Sequence, residues 1–245
     1  MLAIRIVTMR SIRKKHFRQG GYTLVEMMIA LSIGVFLTTG IIQLFISTKQ
    51  TYRFEEALSR LQENGRFAME YMSRDIRNAD YNLCLSQPIK DATTNTRDGV
   101  TGLNGTPNTS NSALDLPDSI KVHWIEETCS QTRIDQYREW RVNSAKLYLN
   151  AESSERVEGV ENMQITYGID TNDDGTPNYY ASAGTGVDLT QAVTVRISLL
   201  LRSIEDSVVS SPVSYTYNGG TYTPDDRRLR RIFTTTIALR NRIIS

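Results

Sequence analysis

Asp170, Asn172 and Asp174 alternate ahead of Gly175 in the run DTNDDG, the first half of an oxygen-ligand loop for a hard cation such as calcium. The closing acidic ligand is missing, because the twelfth position of such a loop is Ala181. The same letters make an Asp/Asn/Gly turn between strands, which is the preferred reading; calcium is the one cofactor the sequence suggests. Arg227, Arg228, Arg230 and Arg231 stand beside Asp225 and Asp226 and read as a solvated, partly paired strand entrance. His123 is the one histidine after His16, and Cys84 and Cys129 are the two cysteines. They form no C-x-x-C or Cys/His cluster, so no structural zinc is expected. No G-x-S-x-G, H-E-x-x-H or phosphate-cradling glycine loop occurs. With no catalytic constellation, the chain reads as a non-enzyme.

The elements that would position these residues follow from periodicity. Phe54, Leu58, Leu61, Gly65, Ala68, Met72, Ile76 and Ala79 recur at three- and four-residue steps, with charges on the other faces. No proline precedes Pro88, so one helix from about Tyr22 to Ala79 is predicted, about 85 Å long at 1.5 Å per residue. Strand patterns follow at Lys121–Glu127, Ala145–Asn150, Val160–Ile169, Val193–Arg202 and Ile232–Arg240. Met163, Ile165 and Tyr167 should share one buried face, as should Val193, Val195, Ile197, Leu199 and Leu201. Residues 85–119 read as irregular, and 203–226, with Pro212, Gly219-Gly220 and Pro224, as a long connection. A long helix followed by strands and turns predicts an α+β fold, with an antiparallel sheet domain packed on the 54–79 helix face.

The N-terminus sets the compartment. Residues 24–46 form an apolar run long enough to span a bilayer, which takes about 20 residues. The 21 residues before it carry six basic residues and no acid. Excess Lys/Arg marks the cytoplasmic flank, so the N-terminus is expected inside and the body outside. A cleaved secretory signal fits poorly, since its apolar region is shorter and Thr38-Thr39-Gly40 is a poor cleavage site. Three parts result: a basic leader, 1–21; a helix, 22–80, transmembrane over 22–46; and a β-rich extracytoplasmic domain, 81–245. Export predicts a Cys84–Cys129 disulfide. Without the leader, 22 basic residues face 27 acidic ones, so nucleic acid is not an expected partner. Glu26, an acid inside the apolar run, needs a partner or an interfacial position.

Gly20-Gly21-Tyr22-Thr23-Leu24-Val25-Glu26, between basic leader and apolar helix, resembles the type IV prepilin processing motif. The resemblance implies cleavage between Gly21 and Tyr22 by a prepilin peptidase, N-methylation of Tyr22, and an assembly role for Glu26 at the fifth mature position. The runs YGIDTNDDGTPNYY, AVTVRISLLLRS and DRRLRRIFTTTIALRNR are similar to those of the PilW minor pilins. That implies a pilin-like fold and a structural subunit acting in type IV pilus initiation. Its partners would be other minor pilins and the major pilin. It would first sit as a single-pass inner-membrane protein with a periplasmic domain, then in the filament. A minor pseudopilin of a type II secretion system and a filament-associated adhesin are the alternatives.

Overall fold

The computed structural model describes residues 20–81, 100–103, 117–128, 132–150, 154–184 and 186–242. Helix α1 spans Leu24–Arg77, and 11 strands follow among the described residues. The chain divides into two compact units, Met1–Lys49 and Gln50–Ser245. The second half of α1 therefore belongs with the strands.

In the second unit, β1 (Val100–Leu103), β2 (Ser119–Thr128), β3 (Thr132–Asn143), β4 (Lys146–Leu149) and β5 (Glu155–Glu158) form an antiparallel meander in sequence order. A second antiparallel sheet has the order β11-β8-β6-β7. Its strands are β6 (Val160–Ile169), β7 (Tyr179–Ala181), β8 (Ala192–Arg202) and β11 (Arg230–Ala238). Between β8 and β11 a small hairpin pairs β9 (Tyr215–Tyr217) with β10 (Gly220–Tyr222). The predicted single sheet is thus two sheets and a hairpin. The chain changes sheets at Gly159, whose φ of +85° favours glycine and whose N–H reaches Ala145 O in one sheet while its own carbonyl accepts from Arg202 in the other. A Cβ there would lie 2.7 Å from Arg202 O.

Alternation drives the core. Met163, Ile165 and Tyr167 of β6 are buried, as are all five apolar residues expected on one face of β8. Leu200, on the opposite face of β8, is also fully buried, whereas Arg196 on that face is exposed, so the second face is covered only towards the strand's end. From α1, Leu61, Ala68, Met72 and Ile76 join residues of both sheets in one apolar cluster. Ala57 is buried where Leu58 was expected, and Phe54 stays 37% exposed. Gly65 lets α1 approach β11 closely: a Cβ would lie 2.5 Å from the Phe233 ring.

α1 ends in a tightened turn. Asn78 N and Ala79 N donate to Asp75 O and Ile76 O at 3.0 and 3.1 Å, and Asp80 follows with φ of 60°. Asn241, in a short 3-10 turn at Arg240–Arg242, donates from Nδ2 to Arg77 O at 3.2 Å and Ala79 O at 2.8 Å. The free carbonyls at the helix end are thus met by the last described residues of the chain.

Candidate functional site: the N-terminal segment

Gly20, Gly21 and Tyr22 precede α1 in exposed chain without regular structure, and nothing lies within 4 Å of where a Cβ on either glycine would stand. The Gly21–Tyr22 bond is therefore sterically open. Thr23 is the cap: its Oγ1 accepts from Glu26 N at 3.3 Å, and its carbonyl accepts from Met27 N at 3.2 Å. Thr23 and Glu26 have the spacing of a capping box, and Glu26 sits in the first turn, where free N–H groups favour an acid. Beyond it, residues 24–46 are exposed all round the helix, with a mean hydropathy of 2.2 over the best 18-residue window. Ser32, Thr38 and Thr39 each donate to the carbonyl four residues back at 2.8 Å, so these hydroxyls carry no unmet polarity into an apolar medium. Met27, Ala30, Leu31, Gly34, Val35, Thr38 and Thr39 line a shallow groove on α1, with the small Ala30 and Gly34 among them. That is the relief by which helices approach one another closely.

The DTNDDG loop is closed by its own carboxylates. Buried Asp170 accepts from Asn172 N at 3.1 Å and Gly175 N at 2.7 Å. Asp174 accepts from Thr176 N at 2.8 Å, from the Thr176 hydroxyl and from Asn172 Nδ2. Those bonds to Thr176 and Asn172 hold the Asp174 carboxyl below the usual carboxylate range. Among the described residues no group of three or more His, Cys, Asp or Glu side chains could hold a metal ion. Cys84 and Cys129 lie outside the described residues. His123 is buried and stacked on Tyr137, ring centroids 4.2 Å apart.

The family model for Type IV Pilus-assembly protein W matches residues 131–241, and that for the prokaryotic N-terminal methylation motif matches residues 16–42. Together the two matches support a PilW-type minor pilin. Among solved structures, a type IV-like pilin from Thermus thermophilus is similar, with 13% identity and a TM-score of 0.43 over 76% of this chain and 99% of that one. None of the curated proteins compared matches the chain.

Several polar residues of this minor pilin escaped the sequence reading. Asp75, buried on α1, accepts from Arg138 Nη1 at 2.6 Å and Trp140 Nε1 at 2.9 Å on β3. Burial raises the Asp75 carboxyl above its ordinary value, against the lowering pull of Arg138. Asp80 pairs with Arg242 Nε, both side chains fully buried. The arginine cluster is only partly solvated, contrary to expectation. Arg230 is 6% exposed and grips both Glu161 and Asp226, because the cluster lies where β6, β11 and the β9–β10 hairpin meet.

Proposed function

We propose that this minor pilin is processed between Gly21 and Tyr22 by a prepilin peptidase and N-methylated at Tyr22. The apolar helix then anchors it in the inner membrane, N-terminus cytoplasmic and domain periplasmic, until assembly draws the helix into the filament. There the Glu26 carboxylate meets the amine of a neighbouring subunit's N-terminus in a dry helix bundle, with other minor pilins and the major pilin as partners. Methylation leaves that amine charged. The protein acts as a structural subunit in type IV pilus assembly and carries out no catalysis of its own. Export would place Cys84 and Cys129 where a disulfide persists.

One observation supports this reading above the others: an open Gly21–Tyr22 bond directly precedes a Thr23-capped helix whose first turn carries Glu26, the one acid of the apolar run 24–46. Cleavage there keeps the apolar helix on the domain; a secretory signal peptidase would discard it. Mass spectrometry of the mature N-terminus is the test. The expected chain begins with methylated Tyr22, whereas a chain beginning near Ile41 would overturn the reading.

A further inference from the structure

The globular unit carries a polar cleft of about 320 Å³ where the β9–β10 hairpin stands over β6 and the start of β11. Its floor is fixed. Arg230 donates from Nε and Nη2 to Glu161 at 2.7 and 3.0 Å, and from Nη1 and Nη2 to Asp226 at 2.6 and 2.9 Å. Two planar carboxylates thus clamp one planar guanidinium, and none of the three can swing without breaking paired bonds.

The walls are aromatic. Tyr215 and Tyr222 are direct cross-strand partners in the hairpin, with ring centroids 5.9 Å apart and planes 30° apart. The Tyr215 ring lies 5.5 Å from the Arg230 guanidinium carbon. Thr223, Pro224 and Asp225 complete the rim. The hairpin does not depend on these two rings for attachment. Its Asn218-Gly219 turn has φ of 48° and 79°, the left-handed pair a tight hairpin needs. Tyr217 anchors it by donating to Ser198 O at 2.8 Å, and Thr216 bonds Thr221 across the opposite face. The phenol oxygens of Tyr215 and Tyr222 and the carboxylate of Asp225 have no hydrogen-bond partner among the described residues.

The ligand class follows from charge and shape. Glu161, Asp225 and Asp226 are matched by Arg202, Arg228 and Arg230, with Arg202 3.4 Å from Glu161 and Arg228 3.8 Å from Asp226. These six formal charges cancel, although Arg202 and Arg228 stand behind the lining. What remains is two phenol hydroxyls and one carboxylate beside a pair of adjacent aromatic rings. A sugar ring offers the complement: a face of axial C–H bonds for the tyrosines and hydroxyls for carboxylate and phenol oxygens. We propose that this cleft binds a neutral saccharide, with the adjacent Tyr215 and Tyr222 rings as one stacking platform and Asp225 as a hydroxyl acceptor. This binding is separate from the assembly role of the N-terminal helix and stands or falls independently of it.

The test uses the full-length protein in a zwitterionic detergent, because sugar-headed detergents would compete. Calorimetric titration would run a panel of neutral oligosaccharides of glucose, galactose, mannose and N-acetylglucosamine, two to four units long. At least one should bind saturably, with Tyr222→Ala weakening it about tenfold or more and Asp225→Asn weakening it by a smaller factor. Tyr179→Ala, an exposed tyrosine on β7, should leave affinity unchanged. Unaltered thermal midpoints would show that the variants fold. The proposal is overturned if no member of the panel binds, if binding ignores both Tyr222→Ala and Asp225→Asn, or if only a tetralysine peptide binds with that variant pattern.

Discussion

Removing the Arg242 side chain should be the most damaging single change at the end of α1. Arg242 and Asp80 are fully buried and ion-paired, 162 residues apart in sequence. Arg242 Nη1 also donates to Leu189 O at 2.5 Å and Ala192 O at 3.1 Å, tying the helix end to the turn before β8. Arg242→Ala leaves Asp80 buried without its counter-charge, which typically costs about 3–5 kcal/mol. The low end of that range is favoured, because Asp80 Oδ1 and Arg242 Nη2 have no protein partner even in the intact pair. For a domain of this size about 1 kcal/mol moves the thermal midpoint by about 2–4 °C, so a fall of about 6–20 °C is expected. Asp80→Ala should fall in the same range, and the double variant by clearly less than the sum, since the second change removes a charge already orphaned. Circular dichroism melting would give the midpoints. Hydrogen exchange at residues 77–80 would report whether the helix end loosens first. A drop under about 2 °C, or additive single-variant effects, would refute the claim that the pair holds the helix end.

Two further outcomes rest on packing and on titration. Gly65→Ala should destabilise the domain by about 1–3 kcal/mol, because its Cβ meets the Phe233 ring; adding Phe233→Leu should recover part of the loss in urea unfolding, and no recovery would place the strain elsewhere. Hydrogen bonds from Arg230 hold the folded Asp226 carboxyl below its ordinary value, so its stabilisation is complete above the unfolded value near about 4 and fades as pH falls through the folded one. The stability gap between wild type and Asp226→Asn should therefore be level from neutral pH to about 5 and shrink in more acid solution; a gap that widens with acid would contradict the assignment.

The sequence announced the helix, β6 and β8 because each follows a single period. β6 and β8 alternate cleanly, and both lie where the pattern put them. β3 was illegible because Asp135, Arg138, Glu139 and Arg141 interrupt any alternation in the sequence; Trp140 and Val142 near its end are buried. β5, β7, β9 and β10 span only three or four residues each, too few for a period to show. The β9–β10 turn was nonetheless present in the letters, since Asn218-Gly219 is a strong hairpin signal that the nearby prolines obscured. The helix face was misread by one step at its start, because burial there goes to small Ala57 and not to Leu58. Asp75, Asp80, Arg230 and Arg242 were unreadable for a different reason. A charged residue looks solvated until its partner is known, and the partners of Asp75 and Asp80 lie 63 and 162 residues away. The N-terminal motif was legible because all of it is local.

Glu26 separates two explanations that the sequence alone leaves merged. A carboxylate in an apolar span costs about 2.5–3.5 kcal/mol at a bilayer centre and less near the interface. The Thr23 cap offers a local reason for it, since a capping box places Glu or Gln at this position and the helix start favours an acid. If capping were its whole role, Glu26→Gln would serve nearly as well, because Gln completes the same box. If the charge is what a neighbouring amine meets in the filament, Glu26→Gln should fail almost as badly as Glu26→Ala. Thr23→Val, which breaks the cap and spares the charge, should then be milder than either. The measurement is crosslinking to partner pilins, with filament counts, in cells holding equal amounts of processed protein. Expected are normal insertion and Gly21 cleavage throughout, and loss of crosslinking in both Glu26 variants. Wild-type crosslinking by Glu26→Gln together with failure of Thr23→Val would show that the residue shapes the helix start and takes no part in joining subunits.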